Sequence, residues 1–371
     1  MIHICLCFTD EGGQYYKNAL TTLISVFEHT KSKVCAHIIS DDTFTEEAKE
    51  HFIKVGNGYN QTIQFYSIEN IPARIRDNIP KNFGAGSLFR LFIPEIISEE
   101  KILYLDCDII CQLDIQELFG IDISSVCMGA VVDGADDVKI HGDIKNNGMN
   151  HEYYINSGVI LLNSKKLRTE YPYCKDAILD MVAQKKMMFP DQHAINMFFP
   201  VRHWLEPKEA PDAPVMTANI FSDGITGKEG IAESSANKTK AQGAILLLPA
   251  KYNFRLSFIE NAYQPLYAYA GKIIHFTGDK PWKALYPGAL LYWKYYCRYF
   301  PASEAFDIIE KQDLHELIPM FHFMVRERSA RRLFNRCYQL KSQGVWETVL
   351  DRLFPARRKA KRLSEKVKEY L

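Results

Sequence analysis

The chain has 371 residues, 47% of them hydrophobic, and its 45 Lys and Arg balance its 45 Asp and Glu. This length and apolar content predict one α/β domain of about 280 residues, large enough for a sizeable core, followed by an appendage. No uncharged apolar run approaches the roughly 18 residues of a membrane-spanning helix, so we expect no segment that crosses a bilayer.

The cysteines and the first residues indicate a compartment. The nine cysteines are odd in number, form no Cys-x-x-Cys pair and mostly lie in apolar runs, which predicts buried thiols in a reducing environment. A strand-like segment, residues 2–8, directly follows Met1 and leaves no room for the basic and hydrophobic parts of a secretory signal peptide. We therefore expect a cytoplasmic protein.

Strand and helix patterns alternate over the first 120 residues. The predicted elements are strands near 2–8, 34–39, 62–67 and 102–105, and helices near 14–29, 45–56 and 87–97. This alternation predicts right-handed crossovers and a mostly parallel sheet, as in many nucleotide-binding domains. No Gly-x-Gly-x-x-Gly and no Gly-x-x-x-x-Gly-Lys-Ser/Thr follows the first strand, which counts against a dinucleotide oxidoreductase and a P-loop enzyme.

The alternation continues beyond residue 120. The predicted elements are strands at 127–132 and 158–162, and helices near 164–187 and 191–198. Residues 206–243 are rich in Pro, Gly, Ser, Thr, Asn and Lys, which predicts a long exposed loop or small insertion. Order is expected to return over 244–254, and a helical, aromatic pattern follows Trp282.

Asp106 and Asp108 directly follow the apolar run 101–105. Side chains at positions i and i+2 of a strand share a face, so both carboxylates can reach one divalent cation while Cys107 turns inward. A polar turn, in which Asp accepts backbone hydrogen bonds, is the alternative. The preceding run is apolar, as in a buried parallel strand, and open α/β sheets bind ligands at the carboxyl ends of such strands.

A third candidate ligand, His275, lies far along the chain after residues 271–274. Two carboxylates and one imidazole fit Mn²⁺ or Mg²⁺ better than structural zinc. Octahedral coordination by these three ligands leaves positions for phosphate oxygens. The pattern therefore suggests a cation that also holds a diphosphate.

With these residues placed, the sequence resembles the family eight retaining glycosyltransferases, which include bacterial lipopolysaccharide galactosyl- and glucosyltransferases and glycogenin. The resemblance covers about three quarters of the chain in seven ordered blocks, at residues 7–10, 87–91, 103–108, 155–163, 191–196, 251–254 and 275–282. It implies a GT-A type, Rossmann-like α/β fold with a mixed, mostly parallel sheet. It further implies a catalytic domain over 1–285, with 206–243 as a variable insertion, and a helical C-terminal extension over 286–371.

The resemblance also implies a ligand and a set of contacts. The donor would be UDP-glucose or UDP-galactose, with Mn²⁺ or Mg²⁺ held by Asp106, Asp108 and His275. The other residues implied to contact the donor are Cys7, Phe8, Thr9, Asp10, Tyr15, Arg90, Cys107, Asp133, Asn156, Ser157, Asp191, Gln192, Gly278 and Lys280. Thr9 and Asp10 follow the first strand, where a base or ribose would bind; a polar turn is the alternative. Residues 11–14 depart from the family pattern, so the residue that contacts uracil stays open.

Four residues are implied to act in transfer: Asn156, Asp191, Gln192 and Lys280. Lys280 would place its ammonium on the β-phosphate; the alternative is an exposed lysine without such a role. Arg90 would be a second cation at the diphosphate; the alternative is a structural ion pair. Asp191 can instead cap a helix, since it follows Pro190. Gln192 is a poor nucleophile, so we favour same-face attack assisted by the leaving phosphate.

The charge balance hides an asymmetry. From residue 326 onward, 14 Lys and Arg stand against 5 Asp and Glu, a net charge of +9, which leaves −9 for residues 1–325. Apolar positions spaced by three and four within this tail, and the basic cluster 355–362, predict basic amphipathic helices on an anionic membrane surface; a solvated tail is the alternative. We therefore expect a protein peripheral on the cytoplasmic face of the inner membrane, a lipid-linked or saccharide acceptor, and no nucleic-acid partner.

Two other functions stay open. A non-catalytic protein that binds nucleotide sugars or glycans would share the donor site. In metal-dependent phosphohydrolases, the Asp-x-Asp pair usually continues as Gly-Thr near the chain start, whereas Ile109 and Ile110 follow here at mid-chain.

Overall fold

The computed structural model describes residues 1–68, 84–134, 138–204, 217–219, 244–256, 266–283, 286 and 288–304. The chain forms two compact units, one of residues 1–254 with 271–275 and the other of 255–270 with 276–371. The predicted boundary between 285 and 286 stays a prediction. The basic tail and most of the predicted insertion lie outside the described residues.

The larger unit contains a mixed nine-stranded sheet. Its strands are β1 Ile2–Cys7, β2 Val34–Ser40, β3 Thr62–Ser67, β4 Lys101–Leu105, β6 Met128–Val132, β7 Ile155–Asn163, β8 Val201–Trp204, β9 Thr217–Asn219 and β10 Ala244–Leu248. The spatial order is β3-β2-β1-β4-β7-β6-β10-β8-β9. Neighbouring strands are parallel except where β7 meets β4 and β6, and where β9 meets β8. This confirms the predicted mixed, mostly parallel sheet.

Three short strands complete the described set, and they are β5 Ile109–Cys111, β11 Phe254–Arg255 and β12 Ile273–His275. β12 pairs antiparallel with β5. Because β5 begins three residues after Asp106, this pairing brings a distant segment of the chain close to the Asp-x-Asp pair.

The described α-helices are α1 Tyr16–His29, α2 Glu46–Gly58, α3 Ile93–Ile96, α4 Gln116–Phe119, α5 Val138–Asn146, α6 Ser164–Glu170, α7 Cys174–Gln184, α8 Pro190–Phe198 and α9 Ala289–Tyr296. Short 3-10 helices cover Ala85–Phe92, His151–Tyr153, Ala250–Asn253 and Leu266–Tyr269. The α2 helix illustrates the local cause: Thr45 Oγ1 accepts from the backbone N–H of Ala48, and two glutamates occupy the first turn.

Two helix predictions were wrong in detail. The helix expected near 87–97 is mostly the 3-10 helix Ala85–Phe92, and only the single turn α3, with Pro94 in it, is α-helical. The helix expected over 164–187 is two helices, α6 and α7, because Pro172 between them cannot donate a helical hydrogen bond.

Burial follows the sheet. All seven residues of β2 are buried, as are the last four of β4, whereas the edge strand β3 is mostly exposed or half-buried. Seven of the eight described cysteines are buried free thiols, in agreement with the sequence; Cys337 lies outside the described residues. Among the described helices, none combines the length and apolar character needed to cross a membrane.

Candidate functional site

The carboxyl end of β4 lies beside the amino-terminal half of β7. The strands are antiparallel, with Leu105 opposite Val159, and the backbone N–H of Asp106 donates to the carbonyl of Gly158 at 2.8 Å. β4 occupies the middle of the sheet, so its apolar residues are buried until the chain emerges at Asp106. The sheet edge at this point therefore changes abruptly from apolar to polar.

Asp106, Asp108 and His275 converge at this edge. One ligand atom from each lies within 4.8 Å of the other two. His275 Nε2 is 3.6 Å from Asp106 Oδ2 and 3.2 Å from Asp108 Oδ1. Asp108 and His275 are buried, and Asp106 is half-buried. The structure thus brings together the three predicted metal ligands, although His275 is remote in sequence from the acidic pair.

Asn253 determines which nitrogen of His275 faces the carboxylates. Asn253 Nδ2 donates to Asn156 Oδ1 at 2.8 Å, so its Oδ1 is directed to His275 Nδ1, 2.9 Å away. The Nδ1–H therefore donates to Asn253, and Nε2 is the nitrogen that faces Asp106 and Asp108. Histidines that bind metals are commonly oriented by such a hydrogen bond from the second ring nitrogen.

Gly158 provides the space for this cluster. A Cβ at position 158 would lie 2.2 Å from His275 Cε1 and 2.7 Å from Asp106 Oδ2, closer than van der Waals contact permits. Any side chain there would displace the imidazole or the carboxylate. The glycine in β7 is therefore required by the close approach of the two predicted ligands.

Arg90 holds Asp106 from the other side. Arg90 Nη2 donates to Asp106 Oδ1 at 2.9 Å, the Tyr104 hydroxyl donates to the same oxygen, and Arg90 Nε lies 3.4 Å from Asp191 Oδ2. Asp106 Oδ2 is thereby left on the side of His275. Burial alone would lower the pKa of Arg90, but the carboxylates of Asp106 and Asp191 raise it above its usual value, so the guanidinium stays charged. The structure thus contains the ion pair that was the structural alternative for Arg90.

A buried polar network continues from Arg90 along β7 to α8. Asn156 Nδ2 and Gln192 Nε2 donate to the same oxygen, Asp133 Oδ2, at 3.0 and 3.1 Å. Gln192 Oε1 accepts from the backbone N–H of Ser157, and Asp191 Oδ2 accepts from the Ser157 hydroxyl, both at 3.0 Å. All five predicted residues therefore lie in one hydrogen-bonded cluster next to the three metal-ligand candidates.

The N-cap alternative for Asp191 was wrong. The α8 helix begins at Pro190 and its N-cap residue is Phe189, so Asp191 lies inside the first turn. Its carboxylate is directed to Ser157 and Arg90 instead of the helix backbone. A negative charge in the first turn is still favourable because the helix dipole is positive there.

The turn between β4 and β5 is anchored by α1. The Thr22 hydroxyl lies 3.0 Å from the carbonyl oxygen of Cys107 and 2.8 Å from that of Ile109. The Cys107 side chain is buried and its Sγ donates to the carbonyl of Cys7 at 3.6 Å. Cys107 therefore points inward, as the strand geometry predicts, and it contributes packing next to Asp106 and Asp108.

The loop after β1 places Asp10 in a buried position with one unsatisfied oxygen. Asp10 Oδ1 accepts from the backbone N–H groups of Tyr15 and Tyr16 at 2.6 and 3.2 Å. Among the described residues, Oδ2 is buried without a hydrogen-bond partner. Burial raises the pKa of Asp10 despite its backbone hydrogen bonds. A Cβ on Gly86 would lie 2.7 Å from the Thr9 backbone nitrogen, so the 3-10 helix packs directly on this loop.

The other predicted residues at this end of β1 differ in exposure. Phe8 is buried and its ring packs against Phe44 and Phe52, with centroid distances of 5.0 and 6.3 Å. Cys7 is buried with its Sγ 3.8 Å from Cys5 Sγ, whereas Tyr15 is 38% exposed. The side chains of Phe8 and Cys7 therefore belong to the core, and Tyr15 is the more accessible of the three.

Gly278 and Lys280 belong to the second unit. Within that unit, Lys280 Nζ donates to the carbonyl of Phe276 at 2.7 Å. The Trp282 ring lies 5.6 Å from the Tyr292 ring of α9 and packs against this helix. The functions assigned to Gly278 and Lys280 stay predictions.

Four residues that position the site were not identified from the sequence. Asn253 orients His275, Gly158 makes room for it, Tyr104 holds Asp106, and Thr22 fixes the turn. Asn253, Gly158 and Tyr104 lie within the blocks that carry the family resemblance, which is a signal that could have identified them. Thr22 lies in α1, outside those blocks.

Comparison with known proteins is consistent with this geometry. The model of glycosyl transferase family 8 matches residues 3–285. A probable glycosyl transferase Gly from Streptococcus gordonii is 28% identical over 55% of this chain, and a lipopolysaccharide 1,2-glucosyltransferase from Escherichia coli is 28% identical over 50% of it. The crystal structure of the galactosyltransferase LgtC with donor and acceptor sugar analogues has a TM-score of 0.57 at 18% identity and covers 80% of this chain and 96% of its own.

The structural match confirms the predicted GT-A type fold. This chain spans 27% of the length of the Streptococcus gordonii relative and 56% of the Escherichia coli one. Because the family model extends over about three quarters of the sequence, the chain belongs to glycosyltransferase family 8.

Proposed function

We propose that the protein is a metal-dependent retaining hexosyltransferase that moves glucose or galactose from a UDP-sugar to a saccharide acceptor, in lipopolysaccharide or another cell-surface glycan. The observation that carries the proposal is the convergence of Asp106, Asp108 and His275 Nε2 within 4.8 Å. Two carboxylates held this close to one another are stabilised by a cation between them.

The donor atoms suit Mn²⁺ or Mg²⁺. Carboxylate oxygens are hard ligands, and a single imidazole is compatible with Mn²⁺. Asp106 Oδ2, Asp108 Oδ1 and His275 Nε2 would hold the ion, and Gly158 leaves the space between them clear of a side chain. The bound ion would supply positive charge to the diphosphate leaving group of the nucleotide sugar.

Asp10 is the residue that we propose contacts the base. Its buried Oδ2 has no hydrogen-bond partner among the described residues, and a buried carboxylate oxygen gains from accepting an N–H group. The N3–H of uracil is such a donor. The raised pKa of Asp10 fits a site whose carboxylate is incompletely satisfied until a ligand arrives.

The network of Asp133, Asn156, Asp191 and Gln192 is proposed to bind the sugar. Gln192 is an amide, and its Oε1 already accepts from the backbone N–H of Ser157. Asp191 Oδ2 is held by Ser157 Oγ and lies 3.4 Å from Arg90 Nε. Residues held in this way are better suited to orient hydroxyl groups than to form a bond with the anomeric carbon, which favours same-face attack assisted by the leaving phosphate.

The roles proposed for residues outside this site rest on the sequence pattern alone. Lys280 and Gly278 are proposed to contact the β-phosphate, and the tail after residue 326 is proposed to bind an anionic membrane surface. The activity named for the Escherichia coli relative, a lipopolysaccharide glucosyltransferase, supports a hexose donor and a cell-surface acceptor. LgtC, whose fold this chain shares, is a galactosyltransferase, so galactose is the alternative donor.

The test is a screen of UDP-sugars for Mn²⁺-dependent turnover, read by mass spectrometry, combined with calorimetry of UDP binding. We expect Asp108→Ala to abolish Mn²⁺-dependent UDP binding, because one ligand of the ion is lost. The matched control is Asp176→Ala, which removes a carboxylate that is 74% exposed and should leave binding unchanged. Unaltered affinity of Asp108→Ala would refute the metal bridge, and UDP binding without turnover of any sugar would favour a non-catalytic binding protein.

A further inference from the structure

A second cluster of metal-ligating side chains lies at the opposite end of the same strands. His3 in β1 is paired with Cys35 in β2, and His37 follows two residues later on the same face. One ligand atom from each of these three residues lies within 4.8 Å of the other two. Ile4 of β1 pairs with Leu103 of β4, so the preceding residue, His3, is level with Ile102. Ile102 is four residues before Asp106, which places the cluster roughly 13 Å from Asp106 along the strand direction.

One hydrogen bond orients His37, and another joins the two imidazoles. The Tyr66 hydroxyl donates to Gln64 Oε1 at 2.7 Å, so its oxygen is available to accept from His37 Nδ1–H, 3.0 Å away. His3 Nδ1 lies 3.0 Å from His37 Nε2, so an Nδ1–H of His3 can donate to that lone pair. Glu99 Oε2 lies 3.6 Å from His3 Nε2, the second nitrogen of the His3 ring.

A metal ion would replace the proton that joins His3 Nδ1 to His37 Nε2, and that proton would move to His3 Nε2, which lies beside Glu99. The ring centroids lie 5.3 Å apart with an interplanar angle of 27°, and the two rings meet through these nitrogens. Cys35 is buried beside them and adds a sulfur donor.

We propose that His3 Nδ1, His37 Nε2 and the Cys35 thiolate form a second metal site that takes Zn²⁺ or a similar borderline-soft divalent cation. Two imidazoles and one thiolate suit Zn²⁺, in contrast to the oxygen-rich cluster of Asp106, Asp108 and His275. On binding, the S–H bond of Cys35 breaks, a Zn–S bond forms, and the proton leaves to solvent. Glu99, which lies 3.6 Å from His3 Nε2, has a side chain that is 44% exposed.

The site would join the amino ends of β1 and β2. In metal sites, the ring nitrogen of a histidine that does not bind the ion usually contacts a second polar group. Here Glu99 lies near His3 Nε2, and the Tyr66 hydroxyl lies near His37 Nδ1. Its ligands lie on the strands themselves, and Asp106 lies about 13 Å further along the sheet. We therefore assign the ion a structural role, separate from donor binding.

The first experiment uses Co²⁺ as a spectroscopic probe on the full chain, after treatment with a chelator and in the presence of excess Mg²⁺ to occupy the Asp106 site. A thiolate that binds Co²⁺ gives a charge-transfer absorption which oxygen and nitrogen ligands do not give. We expect this band at one equivalent in the wild type and in the control Cys174→Ser, and we expect it to be lost in Cys35→Ser. Absence of the band from the wild type, or its persistence in Cys35→Ser, would overturn the proposal.

A second variant avoids any change to a ligand. Tyr66→Phe removes the hydroxyl that orients His37 and leaves all three proposed ligands in place. We expect its affinity for Zn²⁺, measured by competition with a chromogenic chelator, to fall about 10- to 100-fold, as for other outer contacts of metal ligands. An unchanged affinity in a folded Tyr66→Phe protein would contradict the orientation on which the site depends.

Discussion

Asn253 orients the imidazole of His275 through one hydrogen bond of 2.9 Å. We predict that Asn253→Ala weakens Mn²⁺-dependent UDP binding about 10- to 100-fold, because the imidazole loses the contact that directs Nε2 at the carboxylates. Calorimetry checks this, with the exposed Asn57→Ala in α2 as the control. Equal affinities for the two variants would show that His275 does not depend on Asn253.

The buried carboxylate of Asp10 lowers the stability of the folded protein, although it is proposed to favour binding of the donor. Its folded pKa is raised above the usual value of 3.8, so the folded state holds the proton more tightly than the unfolded state. The wild type therefore loses stability as pH rises from 3.8 through the folded pKa, and it regains that stability as pH falls. Asp10→Asn removes this titration.

We predict that Asp10→Asn is more stable than the wild type at pH 7 and that the difference shrinks towards pH 4. The Asn side chain keeps an oxygen for the Tyr15 and Tyr16 N–H groups without a buried charge. UDP binding should weaken, since the new amide can place an N–H against the N3–H of uracil. Urea denaturation at both pH values and UDP calorimetry test the two parts; a variant that is less stable at pH 7 would contradict the first.

At the scale of elements, α1 supports the Asp-x-Asp turn through Thr22. Thr22→Val keeps the shape of the side chain but leaves the carbonyls of Cys107 and Ile109 without its hydroxyl. We predict a loss of about 1–3 kcal/mol in the free energy of unfolding, because these carbonyls belong to a buried turn. Chemical denaturation measures it, and Thr169→Val on the exposed face of α6 should change stability by less than about 0.5 kcal/mol.

The elements that the sequence predicts well are those with a continuous apolar pattern. The strands β1, β2 and β4 lie within two residues of their predicted bounds because buried parallel strands are uniformly apolar. The reversed direction of β7 has no such signal, yet it places Gly158 beside Asp106. The 3-10 helix Ala85–Phe92 was predicted as an α-helix because the two helix types have similar numbers of residues per turn. Over eight residues, the apolar residues around Arg90 fall on one face in either type.

The same distinction applies to the site. The convergence of Asp106, Asp108 and His275 could be predicted because candidate metal ligands are chemically distinctive and these three lie at strand ends. The contacts that orient these residues could not be predicted, because asparagine and glycine occur in many structural roles. Only the folded arrangement shows that Asn253 Oδ1 contacts His275 and that a Cβ at position 158 would clash with it. For the same reason, the alternative that Asp191 caps a helix could be rejected only from its contacts with Ser157 and Arg90.

At the scale of the whole molecule, the charge asymmetry separates the two proposed functions, donor binding and membrane binding. Residues 1–325 carry a net charge of −9 and contain the candidate donor site, whereas the tail from 326 carries +9. An acidic body is repelled by an anionic bilayer, while each basic residue near the surface contributes about 1 kcal/mol of attraction. Membrane association should therefore depend on the tail, and nucleotide-sugar chemistry should not.

We predict that a chain ending at residue 325 no longer sediments with anionic phospholipid vesicles but still hydrolyses UDP-sugar with Mn²⁺. A second variant keeps the full length and replaces the basic residues of the cluster 357–362 by Gln, which tests charge apart from chain length. It should bind vesicles more weakly than the wild type, and the remaining binding should decrease as salt is added, because surface attraction is screened. Vesicle binding that neither change reduces would exclude the tail as the membrane contact, whereas loss of hydrolysis would show that the catalytic unit needs residues beyond 325.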